Sequence, residues 1–100
     1  MMAIKQDIIR KRLSEVPDDK VFWCGDGRVF KSLKDLATAL NDMTEEIYLR
    51  HANGDRNDFS NWVHDVVGDV TLAYQLRKAK SRVTAARRVN ERLEWLEERA

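Results

Sequence analysis

Residues 69–99 contain neither glycine nor proline and lie within the longest such run of this 100-residue chain. The two strongest helix breakers are missing there, so the plainest expectation is a single helix. At 1.5 Å per residue it would extend about 46 Å. A compact fold of this size measures roughly 30 to 35 Å across. The helix is therefore expected to project and to seek a partner for its apolar positions.

Leu76, Ala79, Val83, Ala86, Asn90 and Leu93 follow a four-three spacing, with Val89 and Leu96 on a slightly rotated stripe. Apolar residues at this repeat suit a helix–helix seam, and a polar Asn inside it can set register. These eight residues predict a homodimer interface. The expected fold class is mainly α with a small β-hairpin (α+β), its short helices packed on a long C-terminal helix that projects and dimerises.

The rest of the chain divides by its punctuation. Residues 1–20 hold an amphipathic helix over 3–14, striped by Ile4, Ile8, Ile9 and Leu13, and a turn at Pro17. Residues 21–31 read as a β-hairpin about Asp26-Gly27. With those two as the loop, Cys24 faces Val29 and Trp23 faces Phe30, putting Val21, Trp23 and Phe30 on one face. Such a ribbon is marginal alone and must pack on helices or pair with a second copy.

Residues 32–68 form a helical core. Ser32 is a fair N-cap for a helix carrying Leu33, Leu36, Ala37 and Leu40, and Thr44 caps a shorter one bearing Ile47 and Tyr48. After a polar loop, Asp58 is expected to cap a helix with Phe59, Trp62, Val63, Val66 and Val67 inward. Gly68 ends it, and Asp69 is placed to cap the C-terminal unit, residues 69–100. The whole reads as one domain.

Charge is polarised beneath a net of +1: residues 21–68 carry five basic and eight acidic side chains, residues 69–100 eight and five. Arg77, Lys78, Lys80, Arg82, Arg87, Arg88 and Arg92 accumulate on the C-terminal helix. Such a stripe can neutralise phosphates and release their counterions. The plainer reading is the solvated flank of a coiled coil, and no aromatics interleave with the stripe.

Catalytic and cofactor motifs are weak. His51 and His64 stand thirteen residues apart with one distant cysteine, which does not match structural zinc spacing. Asn53, Asp55 and Asn57 alternate as in a calcium loop but lack its glycine and closing glutamate. Gly25-Asp26-Gly27 has no third glycine and no βαβ setting. No metal or other cofactor is expected. A small enzyme using His51 and nearby carboxylates is the least supported reading.

Asp26-Gly27, Ser32-Leu33-Lys34-Asp35-Leu36-Ala37, His51-Ala52-Asn53, Asn57-Asp58-Phe59-Ser60-Asn61-Trp62 and Val67-Gly68-Asp69 together resemble a family of small archaeal and bacterial domains of unknown function. The resemblance spans about half of the chain and implies a prokaryotic relationship, with no activity to transfer. Physically, the polar series is either a structural clasp or a small pocket bordered by His51, Asn53, Asn57, Asp58, Trp62 and Asp69. The lone Cys24 and the charges interrupting the N-terminal apolar residues predict a cytoplasmic protein without a membrane span. The function expected is a non-enzymatic interaction or scaffold module that self-associates. Another protein is a possible further partner, and nucleic acid is the alternative.

Overall fold

The computed structural model describes residues 5–100; Ala3 and Ile4 of the expected first helix lie outside the described residues. In chain order the elements are α1 (Gln6–Leu13), a 3-10 turn (Asp18–Lys20), β1 (Phe22–Trp23), β2 (Val29–Phe30), α2 (Leu33–Asp42), α3 (Glu45–His51), β3 (Ala52–Asn53), β4 (Arg56–Asn57), α4 (Asp58–Trp62), a π-helical turn (Val63–Val67), α5 (Val70–Lys78) and α6 (Arg82–Arg99). Helices α1, α2 and α5 pack around α6. The fold is mainly helical, as the sequence predicts.

The single projecting helix is not formed. Ala79 leaves the helix with extended backbone, and Ser81 starts a new one as N-cap, its side chain accepting from the Thr84 N–H. A capping serine inside a run without Gly or Pro is enough to end one helix and begin another when packing favours the turn. Here it does: Leu72 and Leu76 of α5 and Ala85, Val89 and Leu96 of α6 are all buried in one core. A straight helix would leave one of those sets in water. With α6 folded back, the molecule measures 39 × 28 × 22 Å, with a radius of gyration of 12.9 Å.

The return also consumes the expected dimer seam. Leu76, Ala86, Val89 and Leu96 are buried within the chain, Ala79 and Leu93 pack against the same core, and only Val83 is well exposed. Asn90 is engaged inside the molecule. Its Nδ2 donates to Asn41 Oδ1 of α2 at 3.1 Å and to the Ala86 carbonyl at 2.8 Å. Arg82 holds the other end of this packing by donating to the Leu40 and Asn41 carbonyls, 2.7 and 3.3 Å away. A cation there satisfies carbonyls that the end of α2 leaves without partners.

Asp69 anchors the arrangement. Its fully buried carboxylate accepts from the α5 backbone at Leu72 N and takes Arg92 in a two-pronged pair, Nε–Oδ2 at 2.7 Å and Nη2–Oδ1 at 3.0 Å. Arg12 of α1 lies 3.9 Å from the same carboxylate and donates to the Gly68 carbonyl. Trp95 covers Arg92, the guanidinium carbon 4.5 Å from the ring centroid.

The hairpin adopts a register one residue away from the two-residue loop. Phe22 pairs with Phe30 and Trp23 with Val29, while the Cys24 N–H reaches the Arg28 carbonyl. The loop is thus Gly25-Asp26-Gly27, closed by Gly27 N–H to the Cys24 carbonyl, with Gly27 at φ 93°. A three-residue loop ending in left-handed glycine is a common hairpin solution. The slip reverses the faces. Phe22 is buried, stacked 5.2 Å from both Phe30 and Phe59, whereas Trp23 is 74% exposed. The ribbon is stabilised by packing on helices; a second, two-residue hairpin joins β3 and β4.

Helix α4 is capped by Asn57, not Asp58: the Asn57 side chain accepts from the Ser60 N–H at 2.9 Å. The helix then widens into the π-helical turn, where Gly68 N–H bonds the Val63 carbonyl, and Gly68 at φ 84° ends it. Phe59, Trp62, Val63 and Val67 are buried as expected, but Val66 is only half-buried.

Two outcomes test this architecture. Asp69→Ala leaves the Arg92 charge buried without its partner and should cost about 3–5 kcal/mol in urea unfolding. Phe22→Ala should cost about 3–5 kcal/mol, and Trp23→Ala should stay within about 0.5 kcal/mol; the opposite order would restore the two-residue loop.

Candidate binding groove

Histidine 51 ends α3 and has both ring nitrogens engaged. Nε2 accepts the Gly25 N–H at 2.9 Å, so in the neutral ring Nδ1 carries the proton and donates to Asp58 Oδ2 at 3.0 Å. Phe22 meets the ring edge-on and Phe59 lies 5.3 Å away. A Cβ at residue 25 would stand 3.3 Å from Nε2, which is why the first hairpin approaches the ring through glycine. Arg56 completes the cluster, its Nε 3.3 Å from Asp58 Oδ1. A general base needs a free nitrogen facing substrate, and this imidazole spends both on joining the first hairpin to α4.

The other polar candidates separate. Asn57 caps α4 and donates to the Leu76 carbonyl at 3.1 Å; beside it Ser60 Oγ donates to the Ala73 carbonyl at 2.7 Å. The Trp62 indole donates to the Lys20 carbonyl at 2.8 Å. Asp69 belongs to the Arg92 cluster. Of the six predicted pocket residues, Asn53 and Asn57 border one groove, while His51, Asp58, Trp62 and Asp69 lie outside its lining and act as clasps between elements. Asn53 alone of the series is exposed. His64 is exposed and, among the described residues, its ring pairs with Asp65 alone. Among the described residues no group of three His, Cys, Asp or Glu could hold a metal ion.

Cys24 is buried, and that burial pushes its thiol up, away from the reactive thiolate. Tyr48 is likewise raised by burial, with Glu45 adding to the effect. In the hairpin loop, the Arg28 side-chain hydrogen bond outweighs burial and lowers Asp26 from 3.8 to about 2. Arg28 is raised in turn by its bonds to Asp26 and Asp42.

The concave surface lies elsewhere. The α5–α6 elbow and the β3–β4 hairpin enclose a groove of about 690 Å³, open to solvent. Arg77, Lys78 and Lys80 line the elbow side, and Asn53, Arg56 and Asn61 the opposite side. Among the described residues the three elbow cations have no carboxylate within ion-pair distance; Lys78 instead sits 5.4 Å from the Tyr74 ring centroid. Asp55 is the one acidic residue of the lining.

The basic stripe read from the sequence is therefore divided. Arg82 pairs with Glu45 and α2, Arg92 is enclosed with Asp69, and Arg88 lies 3.7 Å from Glu91. Arg87 is exposed on α6 outside the groove lining. Sequence reading missed Arg56, Leu49 and Asn61. The signals present were the short Gly54-Asp55 loop, which turns Arg56 back towards α3, and the place of Leu49 off the Ile47–Tyr48 stripe. No family model matches the chain, and neither a curated protein nor a solved structure matches it.

Asp26 gives a pH prediction with a definite sign. Its carboxyl is lowered on folding, so its stabilising effect is complete above 3.8 and disappears as pH falls to about 2. Asp26→Asn should flatten the acid limb of the stability curve in that window, read by thermal unfolding in a pH series, and leave the curve's shape near neutrality unchanged.

Proposed function

We propose that the chain is a non-enzymatic binding module whose working surface is the cationic groove at the α5–α6 elbow, and that its partner is anionic. The observation carrying this reading is the state of the cations. Arg82 and Arg92 are committed to the fold, whereas Arg77, Lys78 and Lys80 gather at a concave surface with no carboxylate partner among the described residues. Unneutralised charge in a cleft concentrates field and draws counter-charge from solution. The His51–Asp58 pair offers no open nitrogen for acid–base work, which favours binding over catalysis.

This reading shifts the association surface away from the C-terminal seam, since a dimer built there would have to remove α6 from its own core. Among the described residues no helix is long and apolar enough to cross a membrane. A lone buried cysteine suits a reducing compartment, and the cytoplasm is the compartment we propose.

Amide chemical-shift mapping with polyglutamate and with an oligouridylate tests the groove. At least one polyanion should shift Asn53, Asn61 and residues 77–80, and binding should weaken as salt rises. The double variant Arg77→Glu/Lys80→Glu, which alters only exposed side chains, should bind about tenfold or more weakly, roughly 1.4 kcal/mol. Undiminished binding by that variant, or shifts confined to other surfaces, would overturn the reading.

A further inference from the structure

Beyond its charge, the groove carries an apolar rim and free amides. Leu49 is 56% exposed at its edge, with Ala52 and Ala79 in the same lining. Asn53 and Asn61 are exposed and have no side-chain hydrogen bond among the described residues. Side-chain amides of this kind offer a donor and an acceptor together, the complement of a peptide group. Cations, amides and an aliphatic contact thus line one concavity.

We propose that the groove takes an acidic peptide segment containing an aliphatic side chain, with Leu49 receiving that side chain, Asn53 and Asn61 meeting the peptide backbone, and Arg77, Lys78 and Lys80 facing its carboxylates. This rests on the groove being the binding surface and adds the class of partner. Single-stranded nucleic acid fits less well. Its sequence-tolerant binding relies on bases stacking on exposed aromatic rings, and the one aromatic of the lining, Tyr48, is 3% exposed. The exposed aromatics, Trp23 on the first hairpin and Tyr74 on α5, whose ring lies against Lys78, are both outside the lining. Nucleic acid also makes no particular use of an exposed leucine, whereas a peptide side chain gains from covering it.

Fluorescence anisotropy with three labelled probes tests the partner class: a Glu/Ser peptide with one central Leu, the same peptide with Leu→Ser, and an oligouridylate of equal net charge. The Leu peptide should bind on the order of fivefold tighter than its Ser counterpart, about 1 kcal/mol, and tighter than the oligouridylate. Leu49→Ser should erase the difference between the two peptides while leaving their salt dependence. Ile8→Ser, which changes an exposed apolar residue on α1, should leave the difference intact, and circular dichroism confirms that each variant is folded.

Equal binding of the two peptides overturns the peptide assignment, as does stronger binding of the oligouridylate. If the oligouridylate binds best and Arg77→Glu/Lys80→Glu abolishes it, the groove stands and only the partner class falls. If none of the probes binds, both fall.

Discussion

The Asp69 carboxylate is the point where the chain's separate parts meet. It caps α5 through Leu72 N, receives Arg92 from the middle of α6, and stands beside Arg12 of α1. A buried ion pair of this kind is weak evidence of net stabilisation, because desolvating both partners offsets much of their attraction. Its consequence is geometric. Arg92 reaches a buried acid at the start of α5 only if α6 reverses direction, so the pair selects the folded-back arrangement over a continuous helix. Trp95, stacked on Arg92 and on Arg99, screens that side of the pair from water.

The reversal and the groove have one cause. Turning at residues 79–81 brings Ala85, Val89 and Leu96 into the core, and it leaves Arg77, Lys78 and Lys80 at the outside of the bend. The β3–β4 hairpin forms the other wall because His51 and Asn57 hold its two ends, one to the first hairpin and one to the end of α5. Of the residues that read in the sequence as a small polar pocket, Asn53 and Asn57 line the groove, while His51, Asp58, Trp62 and Asp69 build the support beneath it. The imidazole serves as a two-sided connector, and its apolar neighbours Phe22 and Phe59 fix the ring in place.

Local chemistry made much of the fold legible. Ser32, Thr44 and Asp69 cap helices as their side chains imply, and the Leu33, Leu36, Ala37 and Leu40 stripe is buried. Less visible were features in which near neighbours compete on equal terms. Asn57 and Asp58 are both able caps, and the carboxylate is taken by His51, a contact separated by seven residues. Asp26-Gly27 permits a two- or a three-residue loop; the choice follows from whether Phe22 or Trp23 finds the aromatic cluster of Phe30, Phe59 and Trp62. As for the site, the charges of Arg77, Lys78 and Lys80 were evident, but their concavity and their apolar companion Leu49 were not.

The sequence by itself determined that this chain forms capped amphipathic helices with a hairpin near the start and a basic C-terminal third, because caps, periodicity and turn residues act over a few positions. Tertiary structure decided where the Gly- and Pro-free run bends, which cations the fold pairs with carboxylates, and which aromatic of the first strand enters the core. Each depends on burial against residues distant in the chain. Ser81 is a possible cap in any setting; it becomes an actual one because folding α6 back buries two apolar faces and gives Arg92 its counter-charge.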